Sequence, residues 1–65
     1  MQIQLNGDTT QVAAINLTDL VTELGLDQRM IAIERNMEVV PKSTYNATML
    51  EENDRIELVH MIGGG

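Results

Sequence analysis

The chain predicts an α+β fold: a mixed sheet packed on one main helix, in the order β-β-α-β-β-β. Apolar and polar residues alternate over several short stretches, and a single stretch carries helical spacing. The residues between these stretches have the chemistry that tight turns require. One helix can cover only one face of such a sheet, which places the fold among α+β architectures.

The first strand is residues 2–5, Gln-Ile-Gln-Leu, with period-two alternation. Asn6-Gly7 follows, a dipeptide that accepts the positive φ angles of a type I′ hairpin turn. Residues 9–12 are the returning strand. Leu17, Leu20, Val21 and Leu24 then fall at i, i+3, i+4 and i+7, one apolar stripe on a helix. Asn16 is positioned as its N-cap, Asp19 puts negative charge near the positive end of the dipole, and Gly25 ends it. Ile15 and Leu20 have the spacing of a hydrophobic staple.

Residues 30–35 read as a third strand with Ile31 and Ile33 on one face. Asn36-Met37 is a turn; Met is poor at positive φ, so a longer loop or another turn type is expected there. Residues 38–40 make a short strand stopped by Pro41, which cannot donate to a ladder. Residues 42–50 are polar, a loop or short helical turn anchored by Tyr45 and Leu50. Asn53-Asp54 is turn chemistry, and Glu51, Glu52 and Asp54 read as a solvated turn. Residues 55–62 make the longest strand, with Ile56, Leu58 and Ile62 on one side and Val59 and Met61 on the other. A long crossover lets the first strand pair in parallel with this last one, which becomes central. That is the β-grasp arrangement.

Composition bounds the rest. At 65 residues there is one domain, residues 1–62, followed by a glycine tail at 63–65. A chain this short buries only about 60% of its unfolded surface. Tyr45 is the one aromatic residue, so the core is expected to be Ile, Leu, Val and Met. There is no Cys, hence no disulfide, no thiolate nucleophile and no cysteine metal site. Neither a signal peptide nor an apolar run of roughly 20 residues is present, so a soluble, cytoplasmic monomer is expected. A net charge of −6 repels phosphate backbones and suits a protein partner with a basic face, or simply keeps a small protein in solution. No nucleic acid and no membrane are expected as partners.

No catalytic constellation stands out. His60 is the single histidine, and without Cys it makes no closed zinc site; it is expected as a surface or partly buried residue. Ser43, His60 and the acids show no triad spacing. The acids at 51–54 lack the alternation and glycine of a calcium loop. No bound cofactor or metal is expected.

The informative residues are Gly63, Gly64 and Gly65. Three glycines after a last strand bury no side chain and carry the largest backbone entropy cost, so stability does not explain them. A slim tail threaded into a partner's active site does: without Cβ atoms the backbone lies flat against a channel, and the terminal carboxylate is open to attack. An ATP-using enzyme can adenylate that carboxylate, and a sulfur nucleophile can then displace AMP. The competing reading is the remnant of a linker. Val59 and Met61, facing away from the core beside the tail, form a candidate docking patch, with Met37 a further member. Against that stands incidental exposure, or a second small apolar cluster under the 42–50 loop.

Taken together these pieces resemble a known family over essentially the whole chain. They are the opening hairpin, the helix from Asn16 to Leu24, Ala32-Ile33-Glu34-Arg35-Asn36, and Glu38-Val39-Val40-Pro41. Glu52-Asn53-Asp54-Arg55-Ile56-Glu57 and Ile62-Gly63-Gly64-Gly65 complete the set. The chain resembles the thiamine-biosynthesis sulfur carriers, the ThiS family of ubiquitin-like β-grasp proteins. Relatives often have Asn-Gly where this chain has Asn36-Met37, and Gly where it has Asn53.

The resemblance implies that an E1-like enzyme uses ATP to adenylate Gly65. Sulfur from a desulfurase or persulfide protein then makes a C-terminal thiocarboxylate, which thiazole synthase consumes. Gly65 is the covalent attachment point, and Gly63 and Gly64 give the slim approach. Such a chain is a co-substrate, not an enzyme. A molybdopterin-type carrier, a ubiquitin-like modifier and a non-catalytic β-grasp interaction module remain the alternatives.

Overall fold

The computed structural model describes residues 1–61. Five strands form one mixed sheet: β1 (Gln2–Leu5), β2 (Asp8–Gln11), β3 (Ile31–Arg35), β4 (Glu38–Val40) and β5 (Arg55–His60), in the spatial order β2-β1-β5-β3-β4. The helix α1 (Leu17–Glu23) packs on one face, with 3-10 turns at Gln28–Met30 and Lys42–Ala47. β5 is central, parallel to β1 and antiparallel to β3, as the crossover argument requires.

Both ends of α1 follow from its sequence. The Asn16 side chain accepts from the Asp19 N–H at 2.7 Å, satisfying a donor that the first turn leaves free. At the far end Gly25 sits at φ 71°, its N–H donates to Thr22 O, and the Leu26 N–H donates to Val21 O. This is a Schellman motif, closed by the one residue type that adopts positive φ without a steric cost. Leu17, Leu20 and Val21 are buried, each contributing about 1.5–3 kcal/mol relative to exposure. The staple does not form as a buried pair: Ile15 stays 55% exposed, and its carbonyl instead accepts from the Leu50 N–H.

Ile3, Ile31, Ile33 and Ile56 line the sheet's inner face; Tyr45 and Leu50 close the core from the 42–50 segment. The Tyr45 hydroxyl lies near the Ile33 backbone but makes no geometrically sound hydrogen bond. The five methionines depart from expectation, since none is a buried core residue. Met1, Met30, Met37 and Met49 are exposed, and Met61 is half-buried. Branched side chains with few rotamers, Ile, Leu and Val, make up most of the buried set between helix and sheet in their place.

Three local expectations need correction. Asn36-Met37 is neither a longer loop nor another turn type. Arg35 pairs with Glu38, so the loop has two residues, with φ 51° and 73°, the signature of a I′ turn. The right-handed twist of the flanking strands favours that turn strongly enough to hold Met37 at positive φ. Second, the strands end differently from the pattern: β2 starts at Asp8, β3 at Ile31, and β5 stops at His60. Ile62 and the boundary placed after it lie outside the described residues.

Third, Asp54 is not solvated but 6% exposed. Its carboxylate accepts from Arg35 Nε (2.9 Å), Asn36 Nδ2 (3.1 Å) and the Glu51 N–H (2.8 Å). Asn53 beside it takes the left-handed conformation at φ 69°. Burial pushes the Asp54 carboxyl up, but the Glu51 N–H, Arg35 and Asn36 outweigh it and hold the group below its ordinary value.

Two predictions follow from these turns. Met37→Gly relieves a positive-φ side chain and is expected to raise stability in urea unfolding by about 0.5–1 kcal/mol; a loss of stability would contradict the turn assignment. For Asp54 the folded pKa lies below the unfolded value near 3.8. Its contribution is therefore complete above that value and lost as pH falls through the folded pKa. Asp54→Asn is expected to cost about 2 kcal/mol at pH 7. That cost should shrink on acidification; a pH-independent cost would mean the charge is irrelevant.

Candidate functional site

The candidate region is the outgoing end of β5. Strand residues alternate faces, so the register sorts the side chains. Ile33 opposite Leu58 and Arg35 opposite Ile56 lie on the helix side, while Ala32 opposite Val59 and Glu34 opposite Glu57 lie on the bare side. Val59 therefore sits where expected, on the open face and 55% exposed. His60 is exposed, with no hydrogen bond or ion pair to it among the described residues.

Met61 is the last described residue. Its N–H donates to the Met30 carbonyl at 2.8 Å, one rung beyond the strand proper. The backbone is thus tied to the body of the domain up to the residue before Ile62. Met61 is half-buried rather than exposed, so its share of the expected patch is smaller than the alternation suggested.

Met37 is 74% exposed but does not join Val59 and Met61. The β3–β5 register puts Arg35 at the start of β5 and Ile31 at its end, so Met37, in the turn beyond Arg35, lies roughly 20 Å along the strand from Met61. The residue sequence reasoning missed is Val39. It is 73% exposed and paired with Glu34 on the open face. Its neighbour Val40 turns inward against the core, so period-two alternation over residues 38–40 was the signal that separated them.

Cations near this end are spoken for. Arg29 forms a bidentate pair with Asp27 and holds the Asp27 carboxyl down to about 2. Lys42 Nζ donates to the Arg29 carbonyl at 2.9 Å, tying the two 3-10 turns together. Among the described residues no pocket forms, and no three His, Cys, Asp or Glu side chains gather as a metal site. The described domain therefore offers a rigid body and a surface. The expected working residues Gly63, Gly64 and Gly65 lie outside the described residues.

The fold and the sequence have known counterparts. The crystal structure of a thiamine biosynthesis protein (ThiS) from Geobacter metallireducens superposes with a TM-score of 0.85 at 29% identity, covering all of both chains. The sulfur carrier protein ThiS of Bacillus subtilis is 35% identical, over 97% of this chain and 98% of that one. A thiazole synthase from Paramagnetospirillum magneticum is 41% identical over the whole of this chain. The chain spans only 20% of that synthase's length. The ThiS family model matches residues 3–65, which takes in the whole sheet from Ile3 onward and the three terminal glycines. With the β-grasp topology and near full-length identity to a carrier, the chain belongs to the ThiS family.

Proposed function

We propose that the chain is the sulfur carrier of thiamine biosynthesis and that its chemistry resides in the carboxyl group of Gly65. The observation that carries this reading is the family match through Gly65 on a domain whose described surface holds no pocket. An E1-like enzyme transfers AMP from ATP to the Gly65 carboxylate and releases pyrophosphate, turning a poor electrophile into a mixed anhydride. The outer sulfur of a persulfide on a desulfurase or persulfide protein displaces AMP to form an acyl disulfide. A second thiol then attacks the donor's sulfur, leaving a disulfide there and releasing the C-terminal thiocarboxylate. Thiazole synthase then takes that sulfur while building the thiazole ring.

In this scheme the chain is a co-substrate that is consumed and regenerated, with no cofactor of its own. Gly63 and Gly64 let the tail lie flat in a narrow channel. The Met61–Met30 hydrogen bond fixes the last described residue to the body of the domain. Val59 and, in smaller part, Met61 contribute to docking beside the tail. Met37, at the other end of β3, is left out of the same footprint. We place the protein in the cytoplasm with its ATP-using partner; none of its described helices is long and apolar enough to cross a membrane. The full match to one-fifth of a thiazole synthase supports that enzyme as the consumer of the sulfur.

Intact mass tests the reading. Incubation with the adenylating enzyme, ATP and a sulfur source is expected to replace one oxygen by sulfur, localised to the peptide carrying Gly65 and lost when Gly65 is deleted. An active enzyme that leaves the mass unchanged would overturn the carrier assignment and favour an interaction module.

A further inference from the structure

The open face of the sheet is divided in two. On the β2–β1 side it carries Thr9, Gln11, Gln2 and Gln4, whose side chains satisfy one another. Gln4 Nε2 donates to Thr9 Oγ1 at 3.1 Å and Gln11 Nε2 to Gln2 Oε1 at 3.4 Å. On the β5–β3–β4 side one row pairs Val59 with Ala32, and the next runs Glu57, Glu34, Val39. This half exposes two valines, 55% and 73%, around two carboxylates placed directly opposite each other.

Like charges directly opposite on neighbouring strands cost stability. Glu57 has a cation of its own, Arg55 Nη2 at 3.0 Å. Glu34 is half-buried and has none within ion-pair distance among the described residues. The fold gains nothing from that carboxylate, whereas a glutamine there would match the other half of the face. A lysine or arginine brought from outside would neutralise it, and apolar side chains beside that cation would cover the valines.

We propose that Glu34, framed by Val39 and Val59, is the specificity-determining residue on this face for the enzyme that adenylates the tail. That enzyme meets Glu34 with a basic side chain and the two valines with apolar ones. The proposal rests on the carrier reading and adds to it the face, the residue and the chemistry of recognition. Two arguments name the occupant. Val59 lies on β5 and Met61 is hydrogen-bonded one rung beyond it, so a protein that takes hold of the residues after Met61 meets this half of the face first. A second copy of this chain brings the same acids and a net charge of −6, and repels.

Charge recognition of this kind acts mainly on encounter and is screened by salt. The experiment is ATP–pyrophosphate exchange by the adenylating enzyme as a function of carrier concentration, at low and high salt. The carriers are wild type, Glu34→Gln, Glu34→Lys and Asp8→Lys. The last makes the same change in net charge on the opposite edge strand, at an exposed hairpin position. Glu34→Lys is expected to raise KM for the carrier about tenfold or more at low salt with kcat little changed. Glu34→Gln should fall between it and wild type, Asp8→Lys should stay close to wild type, and the differences should narrow at high salt. Thermal melts of both Glu34 variants are expected at or above the wild-type midpoint, because the repulsion with Glu57 is gone.

Equal effects of Glu34→Lys and Asp8→Lys would mean that only net charge matters and would overturn the proposal. So would an unchanged KM in the Glu34 variants. A wild-type chain that is not adenylated at all overturns the carrier reading, and this proposal with it. Adenylation that ignores Glu34 overturns the surface alone.

Discussion

The structure depends on where β5 begins, and one carboxylate decides that. Asp54 is bound by Arg35 from the end of β3, by Asn36 from the turn after it, and by the Glu51 N–H from its own loop. Its backbone carbonyl meanwhile accepts from the Gln4 N–H of β1. A single buried residue thus connects both neighbours of the central strand at its first rung. A one-residue slip of β5 would turn Ile56 and Leu58 out to solvent and bring Glu57 and Val59 inward. It would also strand the Asp54 charge without its donors, which costs more than the pairing gained in forming it. The register that buries Ile56 is the register that sends Val59 to the open face and brings Met61 out beside Met30.

The parallel β1–β5 pair carries a second consequence of short strands. β1 stops at Leu5, yet β5 continues, leaving the Leu58 N–H without a backbone acceptor on that side. Asn6 supplies one: its side-chain oxygen accepts from Leu58 at 2.8 Å while its own N–H donates to the Ile56 carbonyl. Asn6 therefore holds the hairpin turn at φ 49° and adds a rung to the ladder in the same conformation. Asn36 repeats this logic at the other turn, accepting from the Arg55 N–H and donating to Asp54 and to the Arg55 carbonyl. Asn6 and Asn36 are thus each a turn residue and a strand connector, which relates the two hairpins to the central strand they flank.

Much of this was legible in the residues. The 3.6-residue stripe from Leu17 to Leu24, the Asn16 cap and Gly25 specify the helix and both of its ends, because all three signals are local. Asn6-Gly7 specifies the first hairpin for the same reason. The second hairpin was misread because residue preference and strand twist disagree at Met37, and twist wins once β3 and β4 pair. Asp54 was misread because an acid beside other acids looks solvated; only the fold brings Arg35, nineteen residues away in sequence, to within 2.9 Å of it. The exposure of the methionines was hidden in the same way: composition says which residues are apolar, not which of them the helix and sheet can enclose. For the candidate site, Val59 was readable from alternation, but the separation of Met37 from it required the β3–β5 register.

The division of the open face bears on how the proposed carrier, with no pocket among its described residues, meets a partner. A chain of 65 residues has little stability to spare, roughly 3–5 kcal/mol from a core of this size. A concave site would cost apolar burial it cannot lose. A flat face can carry recognition through a few side chains already placed by pairing. Two exposed valines and an unneutralised glutamate opposite another are tolerated because Ile3, Leu17, Leu20, Ile31, Ile33 and Ile56 are fully buried on the helix side. The proposed carrier chemistry and the proposed recognition by Glu34 both fall where they do not compete with packing: on residues after Met61, and on the face the helix leaves bare.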